Sequence, residues 1–260
     1  MSLNQTKLIE QYTSGNEEAR ADSSRTAGLE FYYTKKHLGG MIGKNDRVLE
    51  IGCATGYYGL YYAEQCREYV GIDIVPKHIG LFREKIAARG LKNVSCQVGD
   101  GTDLKGIEDE SFDVVLCLGP MYHLTEQERE RVFEECARVC RRGGTAAFAY
   151  INRIGVYAGG CILDSRYPNE QANRCVLENG TDDMRPELFF YTTPEEMERR
   201  AAAHGLKKLK NLGTDFFVTM GIVDSMDEEK FELMKPLYDE MTSHESCMGM
   251  ANHALLICAK

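Results

Sequence analysis

The fold is decided by one stretch of the chain, Val48-Leu-Glu50-Ile-Gly52-Cys-Ala54-Thr-Gly56. Its first residues form a short apolar run that ends in glycine, which is typical of a buried strand. The glycines let the chain turn sharply and let a ligand approach the backbone. A helix beyond the loop, expected from about Tyr57 to Cys66, would present free N–H groups and a positive dipole to a carboxylate or phosphate. The stretch therefore predicts a strand, a ligand-binding loop and a helix.

Apolar runs and helical patterns alternate along the rest of the chain. The apolar runs predict strands at 47–51, 69–73, 94–98, 112–118 and 145–150, and later at 206–217 and 254–258. Alternating strands and helices indicate a parallel sheet whose strands are joined by crossover helices. We therefore predict a doubly wound α/β fold.

Capping residues mark the starts of several helices. The predicted pairs are Thr125 with Glu128, Thr193 with Glu196, and Ser225 with Glu228. In each pair the first side chain caps the helix and the acidic one reaches back to it. We expect Gly143-Gly144 to end the first of these helices and Pro236 to kink the last.

The composition is that of a globular protein with an acidic surface. The chain has 260 residues, of which 43% are hydrophobic, and its net charge is −9. This length suffices for one sizeable α/β domain with a modest cap. Because an acidic surface repels phosphate backbones, a nucleic-acid substrate is disfavoured. The most basic stretch, Lys207-Lys208-Leu209-Lys210, is too short to change that.

The sequence also predicts a cytoplasmic protein without membrane association or metal. No apolar run reaches the roughly 18 residues that a membrane span needs, and nothing resembles a signal peptide. The 10 cysteines are scattered and form no CxxC pair. We therefore expect reduced, buried thiols rather than a zinc site.

Three carboxylates follow the predicted strands at the edge where ligands bind. Glu50 precedes Gly52 by two residues, where it would repel a pyrophosphate but suits a cationic ligand. Asp73 ends the second strand, about twenty residues on, where a carboxylate can bind ribose hydroxyls. Asp100 follows the third strand and can lie near an adenine amino group. The alternative for Asp73 is a helix cap, for Asp100 a turn, and for Glu50 a structural hydrogen bond to the loop amides.

A nicotinamide dinucleotide site is the competing interpretation of the glycine loop. The dinucleotide fingerprint is G-x-G-x-x-G. Its third glycine would fall at Tyr57, and Glu50 would stand close to the pyrophosphate. Both features argue against an NAD(P)-dependent oxidoreductase, which we keep as a less favoured alternative.

The loop resembles the first motif of class I S-adenosylmethionine (SAM)-dependent methyltransferases, E/D-x-G-x-G-x-G, with Ala54 at the middle glycine. Four further segments resemble motifs of this family in the same order, at 73, 100–102, 112–124 and 141–144. The run Gly119-Pro-Met-Tyr-His-Leu124 resembles a bacterial branch of small-molecule methyltransferases, loosely similar to quinone-biosynthesis methyltransferases. The resemblance covers roughly residues 44–150.

This resemblance implies a Rossmann-like fold with a mostly parallel seven-stranded sheet and an antiparallel last strand. It implies SAM as the cofactor and S-adenosylhomocysteine (SAH) as the product. The implied cofactor-binding residues are Glu50, Gly52, Ala54, Gly56, Asp73, Ile74, Asp100, Gly101, Thr102 and Leu118. The small methyl group of Ala54 should shift the loop slightly and leave binding intact.

Candidate catalytic residues follow the fourth strand. His123 and Tyr122 stand at the rim where the methyl group should point. A histidine with an ordinary pKa near 6.5 offers a neutral imidazole that can accept a proton. The alternative is that His123 only shapes the pocket through backbone hydrogen bonds. One histidine without a visible carboxylate partner favours pocket contact over proton transfer.

We expect four regions along the chain. Residues 1–43 form an N-terminal helical cover, and residues 44–150 form the SAM-binding core. Residues 151–192 lack clean periodicity and indicate an inserted cap or lid, and residues 193–260 complete the sheet. In related enzymes an N-terminal helix covers the cofactor, so the aromatics of 30–33 are candidate pocket residues, with ordinary packing under the sheet edge as the alternative. Arg20 and Arg25 are candidate partners of the methionine carboxylate.

The sequence does not identify the methyl acceptor. The Asp/Asn-Pro-Pro-Tyr/Phe motif of amino-methylating nucleic-acid enzymes is absent after the fourth strand, where Leu118-Gly-Pro-Met121 stands. We therefore expect a small molecule methylated on O, N or C, and a monomer or homodimer. A non-catalytic SAM-binding or partner-activating protein is the alternative.

Overall fold

The computed structural model describes residues 3–15, 17–163 and 168–260. Within these ranges, seven strands form one sheet. The strands are β1 (Arg47–Ile51), β2 (Glu68–Asp73), β3 (Val94–Val98), β4 (Phe112–Cys117), β5 (Cys140–Ile151), β6 (Lys207–Gly213) and β7 (His253–Ala259). Their order across the sheet is β3-β2-β1-β4-β5-β7-β6.

The sheet is parallel except at its last strand. β1 lies parallel to β2 and β4, and β4 lies parallel to β5. β7 is antiparallel to both β5 and β6. The prediction of a mostly parallel sheet with an antiparallel last strand is confirmed. Because the strand order reverses between β1 and β4, ligands are expected beyond the carboxyl ends of these strands.

Helices cover both faces of the sheet. They are α1 (Leu3–Ser14), α2 (Arg25–Leu38), α3 (Tyr57–Tyr62), α4 (Pro76–Ala88), α5 (Glu126–Val139), α6 (Arg153–Leu163), α7 (Glu170–Ala172), α8 (Pro194–Ala203), α9 (Ile222–Ser225) and α10 (Glu228–Met241). Short 3₁₀ helices occupy Glu17–Asp22, Pro120–Tyr122 and Glu245–Met250, and a π-helix occupies Asn173–Glu178. Among the described residues, none of the helices has both the length and the apolar character to cross a membrane.

Two apolar layers hold the helices against the sheet. Val48 and Leu49 are adjacent in β1, yet their side chains belong to opposite layers, because successive strand residues face opposite sides. The layer of Leu49 includes Phe133 of α5 and Phe148 of β5. The layer of Val48 includes Phe82 of α4. Both faces of the sheet are therefore buried, which leaves its carboxyl edge for a ligand.

The capping boxes Thr125–Glu128 and Thr193–Glu196 are confirmed. The third predicted cap is wrong, because Ser225 ends α9 and Asp227 caps α10 by accepting the N–H of Lys230 at 2.8 Å. Asp227 stands next to the helix and places its carboxylate on the free N–H groups of the first turn.

Three predicted boundaries differ most from the structure. The helix after the glycine loop ends at Tyr62 instead of Cys66, and β6 ends at Gly213 instead of Phe217. β5 begins at Cys140 and contains Gly143-Gly144, which were predicted to end a helix. The glycines serve a bulge between β4 and β5 instead, since a Cβ at Gly144 would lie 2.8 Å from the carbonyl oxygen of Asp113.

Candidate active site

The loop after β1 holds three residues in the left-handed region of the backbone. The φ angle is +76° at Gly52, +44° at Ala54 and +88° at Gly56. A Cβ at Gly52 would lie 2.5 Å from Cδ of Pro120, so only glycine fits there. For Ala54 the left-handed conformation costs roughly 1–2 kcal/mol. Ala54 therefore adopts the left-handed conformation of the loop at the expense of local strain, and the slight shift expected of the loop stays a prediction.

Asp73, at the end of β2, holds this strained loop. Its Oδ2 accepts the Ala54 N–H at 2.8 Å, and its Oδ1 accepts the Val75 N–H at 2.8 Å. Each carboxylate oxygen can accept a second hydrogen bond. Asp73 therefore supports the loop and the start of α4 and still has acceptor capacity for a ligand.

Glu50 is a buried carboxyl group under the loop. Its residue is 1% exposed, and Tyr69 donates a hydrogen bond to its Oε2 at 2.8 Å. Burial raises the pKa of Glu50 to about 8, against the opposing effect of the Tyr69 hydroxyl and with a further increase from the charge of Asp73. Glu50 is therefore mostly protonated at neutral pH, and a cation bound beside it would favour its ionised form.

Asp100 connects the β3 end of the site with the N-terminal helix. Its Oδ1 accepts the N–H and the hydroxyl of Thr102, at 2.9 and 2.8 Å. Its Oδ2 accepts the side-chain amide of Gln5 from α1. The carboxylate is thus fixed by its own turn and covered by α1.

These residues surround a cavity of about 670 Å³, within the ~300–1,000 Å³ range of small-molecule sites. The sequence-predicted residues that line it are Glu50, Gly52, Ala54, Asp73, Ile74, Asp100, Gly101, Thr102, Leu118, Tyr122 and His123. Gly56 is not among the lining residues. It precedes the first turn of α3, where a Cβ would overlap the ring of Phe82.

His78 is a cavity residue that the sequence did not indicate. It lies in the first turn of α4, is 4% exposed, and its Nδ1 stands 3.5 Å from Oδ1 of Asp73. Neither ring nitrogen has a hydrogen-bond partner in the part of the chain that the structure describes. A buried polar group without a partner is costly, so a polar ligand next to Asp73 would satisfy it.

His123 is held from two sides in a neutral state. Its Nδ1 lies 2.7 Å from the carbonyl oxygen of Leu188, which can only accept, so Nδ1 carries the hydrogen. Its Nε2 then accepts the Tyr12 hydroxyl at 2.7 Å. Burial lowers the pKa of His123 to about 4, which the Leu188 hydrogen bond only partly opposes. The lone pair that a general base needs is occupied by Tyr12.

Tyr122 is buried beside His123 and also lines the cavity. Burial raises the pKa of Tyr122 to about 12, although the charge of Arg20 lowers it. Its phenol is therefore neutral at physiological pH. Because Phe190 donates its N–H to the Tyr122 carbonyl at 2.8 Å, residues of the 151–192 segment contact the β4 loop through the backbone.

The N-terminal helix α1 forms one wall of the cavity. Asn4, Gln5, Leu8 and Tyr12 all line it. Spacings of four residues place Asn4, Leu8 and Tyr12 on one helix face, and Gln5 stands three residues before Leu8 on the same side. That spacing is the signal by which the sequence could have indicated them.

Only some of the predicted pocket residues between positions 20 and 33 line the cavity, and the others pack elsewhere. Arg20, Glu30 and Phe31 line the cavity. Tyr32 is 51% exposed, and Tyr33 is buried in another apolar cluster. Arg25 lies elsewhere, where it donates to the carbonyl oxygens of Val223 and Met226. Its proposed contact with a methionine carboxylate is therefore wrong.

The segment 151–192 contacts the site through His123. The ring of Phe189 lies 4.8 Å from the His123 ring, and Leu188 binds His123 through its carbonyl. All the lining residues in the described part of the chain fall between Asn4 and Val132. The segment therefore supports the wall without lining it, and its function as a lid stays a prediction.

Comparisons with known proteins agree with this geometry. Residues 48–144 match the methyltransferase domain family. The ubiquinone biosynthesis O-methyltransferase of Azoarcus sp. (strain BH72) is 30% identical over 177 residues, which cover 68% of this chain and 70% of that protein. The PH0226 protein of Pyrococcus horikoshii OT3 has a similar structure, with a TM-score of 0.63 and 18% identity over 96% of this chain and 98% of that one.

A geranyl diphosphate C-methyltransferase from Streptomyces coelicolor A3(2), solved with SAH, also shares the fold. Its TM-score is 0.62, with 10% identity over 99% of this chain and 98% of that chain. The chain belongs to the SAM-dependent methyltransferases with a Rossmann-like fold. Among the described residues, no three histidine, cysteine or acidic side chains are grouped so that they could hold a metal ion.

The residues of the cavity fit SAM. A protonated carboxyl at Glu50 can ionise beside a cationic ligand, and Asp73 with the unpaired His78 can bind hydroxyl groups. Asp100 offers acceptors at the β3 end, and the apolar side chains of Ile74 and Leu118 also line the cavity. This combination of cation-binding, hydroxyl-binding and apolar surfaces matches the parts of SAM.

Proposed function

We propose that this methyltransferase acts on a small molecule and that it methylates a hydroxyl oxygen. The observation that carries the proposal is the extent of the cavity. Beyond the motif residues it continues to a second wall formed by Arg20, Glu30, Phe31, Tyr57 and Tyr58. The N-terminal helix α1 forms a further side, so the space suits a compact acceptor better than a polymer.

The relatives support oxygen as the methylated atom. The Azoarcus relative is an O-methyltransferase, and a relative from Myxococcus xanthus, 32% identical over 106 residues, is a protein-L-isoaspartate O-methyltransferase. The second wall is consistent with a hydroxyl acceptor, because it combines aromatic rings with a guanidinium and a carboxylate.

We propose roles for the cofactor-side residues that follow from their places in the cavity. Asp73 binds the ribose hydroxyls, and Asp100 binds the adenine amino group. Glu50 interacts with the cationic methionine part, directly or through the loop. Ile74 and Leu118 flank the adenine, while Gly52 and Ala54 let the ligand approach the backbone. Gly56 acts through the turn into α3, and Gly101 and Thr102 shape the Asp100 turn.

SAM supplies a methyl group already activated by a sulfonium, so the protein contributes alignment and exclusion of water. Alignment of this kind can lower a barrier by ~7–11 kcal/mol. Tyr122 lies in the wall and can contact the acceptor. For His123 we propose a positioning role, because its Nε2 is occupied by the Tyr12 hydroxyl. The N-terminal cover thereby closes the site over its ligands.

The proposal excludes nucleic acid as the substrate. The net charge of −9 opposes phosphate backbones. A monomer or homodimer remains the expected assembly, and a SAM-binding protein without catalysis is not favoured by the relatives.

A screen of acceptors tests the proposed function. The protein is incubated with SAM and a panel of hydroxyl, amine and carbon-nucleophile metabolites, and SAH formation is followed. Release of SAH with hydroxyl compounds, together with a methyl ether detected by mass spectrometry, would support the proposal. Turnover only with amines or carbon nucleophiles, or with RNA, would overturn it.

A further inference from the structure

A line of charged side chains runs from the buried end of β6 to the second wall of the cavity. It consists of Asp215, His253, Glu30 and Arg20. Asp215 follows β6, and His253 begins β7 opposite Ile151, at the carboxyl edge of the sheet. The line brings together three distant parts of the sequence at the site.

Asp215 fixes the orientation of His253. Asp215 is 2% exposed, and its Oδ1 accepts the backbone N–H of His253 at 2.6 Å. Its Oδ2 lies 2.8 Å from Nδ1 of His253, so Nδ1 carries a hydrogen. Burial lowers the pKa of His253, but the charges of Asp215 and Glu30 outweigh it and raise that pKa to about 9. The imidazole is therefore cationic at neutral pH.

Glu30 is the member of the line that faces the cavity. It is 6% exposed, and its Oε2 accepts Nη2 of Arg20 at 2.6 Å and lies 3.9 Å from Nδ1 of His253. Among the described residues, both of these contacts, with Arg20 and with His253, are made by Oε2 and neither by Oε1. A buried carboxylate usually fills its remaining acceptor sites, which leaves Oε1 for a donor inside the cavity.

We propose that Glu30 orients the methyl acceptor by accepting a hydrogen bond from its hydroxyl group, and that the Asp215–His253 pair positions Glu30 for this contact. This inference rests on the proposed function and names the residue that selects a hydroxyl donor. The neighbouring Phe31 and Tyr58 rings, whose centroids lie 5.8 Å apart with an angle of 26° between the ring planes, offer an apolar surface beside the carboxylate.

The charges around Glu30 occupy one of its carboxylate oxygens and leave the other for a hydrogen bond. Arg20 and the His253 imidazolium face it from two elements, and Asp215 and Glu17 carry the opposing charges. Both cations contact Oε2, so Oε1 is the atom left to accept a hydrogen bond from a hydroxyl. An acceptor without a donor would leave Oε1 unsatisfied.

Binding of a matched pair of ring compounds tests the assignment. SAH-loaded protein is titrated with catechol and with 1,2-dimethoxybenzene, which has the same ring and no hydroxyl donor, and binding is followed by NMR. We expect catechol to bind about ten- to a hundredfold more tightly, the usual effect of a charged hydrogen bond. Glu30→Gln should remove most of this difference and leave SAM affinity within about twofold. Equal binding of the two compounds, or full discrimination in Glu30→Gln, would overturn the proposal.

Glu228→Gln is the matched control, because Glu228 pairs with Arg25 on the surface as Glu30 pairs with Arg20 in the cavity. It should bind catechol as the unmodified protein does. A loss of discrimination in Glu228→Gln equal to that in Glu30→Gln would count against a specific role for Glu30.

The positioning role of His253 has a readout independent of activity. In histidine-labelled protein, the His253 resonance should titrate near pH 9 and move toward the ordinary value in Asp215→Asn. His253→Gln should weaken catechol binding about three- to tenfold, whereas His244→Gln, at an exposed histidine paired with Glu240, should not. An ordinary His253 titration with unchanged catechol binding in His253→Gln would contradict this role.

The two proposals can fail separately. Methyl transfer to hydroxyl compounds without discrimination between catechol and 1,2-dimethoxybenzene would overturn only the role of Glu30. Discrimination between the two compounds without any methyl transfer would overturn only the proposed function.

Discussion

The hydroxyl of Tyr12 lies 2.7 Å from Nε2 of His123 and joins the last turn of α1 to the loop after β4. The first turn of α1 is joined to the same residue, because Asn4 donates its side-chain amide to the His123 carbonyl at 2.9 Å. Burial raises the pKa of Tyr12, so its phenol stays protonated and donates to the neutral imidazole. Both ends of α1 are thereby fastened across the cavity.

Tyr12→Phe should loosen this cover while the ring packing stays. One lost hydrogen bond between neutral groups is worth ~0.5–1.5 kcal/mol, so we expect SAM to dissociate about two- to tenfold faster. Stopped-flow release of SAM measures this directly. Limited proteolysis of Tyr12→Phe should also cut faster near residues 1–22 than within 151–192. Bound SAM should slow the cleavage near residues 1–22. An unchanged dissociation rate together with first cuts in 151–192 would assign the cover to that segment.

His123→Ala separates the two roles that the sequence left open. If the residue fastens α1, SAM affinity should fall and turnover at saturating SAM should change only modestly. A loss of about 10²–10⁴-fold in turnover at unchanged SAM affinity would instead indicate a general base.

The lowered pKa of His123, about 4, also makes the free energy of unfolding depend on pH. The stability that comes from burying the neutral imidazole is present above about pH 6.5 and is lost as pH falls through 4.

Asp73→Ala should weaken SAM binding about ten- to a hundredfold, which corresponds to the ~1.5–3 kcal/mol of a hydrogen bond to a charged group. Part of this loss would come from the Ala54 strain that Asp73 offsets. Calorimetry with SAM measures the affinity, and circular dichroism checks that the fold survives. Unchanged affinity would mean that Asp73 serves only Ala54 and the start of α4.

The two roles predicted for Asp73 show how much of the site could be predicted from the sequence. A ribose ligand and a helix support were separate alternatives for it, yet its carboxylate bonds to Ala54 and Val75 and still lines the cavity. The motif residues were predictable because each strand end places its next residues at one edge of the sheet. The prediction that Gly143-Gly144 ends a helix was wrong, because glycine occurs at a bulge as readily as at a helix end.

The acceptor side was harder to predict, because it is assembled from distant segments. His253 begins a strand whose partners, Asp215 and Glu30, lie far away in the chain. No local spacing relates them, so only the tertiary fold brings them together. Arg20 and Arg25 were equivalent in the sequence, yet Arg20 pairs with Glu30 in the cavity wall, whereas Arg25 donates to the carbonyl oxygens of Val223 and Met226.

Glu50 predicts a pH-dependent affinity for SAM. Burial raises its pKa to about 8 in the free protein, and a bound cation would lower it. SAM binding should therefore release a proton, and its affinity should increase with pH up to about 8 and level off above. Calorimetry in buffers of different ionisation enthalpy measures the released proton. Glu50→Gln should abolish both effects, and a flat affinity between pH 6 and 9 in the unmodified protein would contradict this role.

The central claim, that the cavity between the glycine loop and α1 is a SAM site, is tested most directly by calorimetric titration of the purified protein. We expect SAM and SAH to bind with one site per chain, and NAD and NADP to give no binding heat. Absence of SAM binding in folded protein, or tighter binding of NAD than of SAM, would contradict the account.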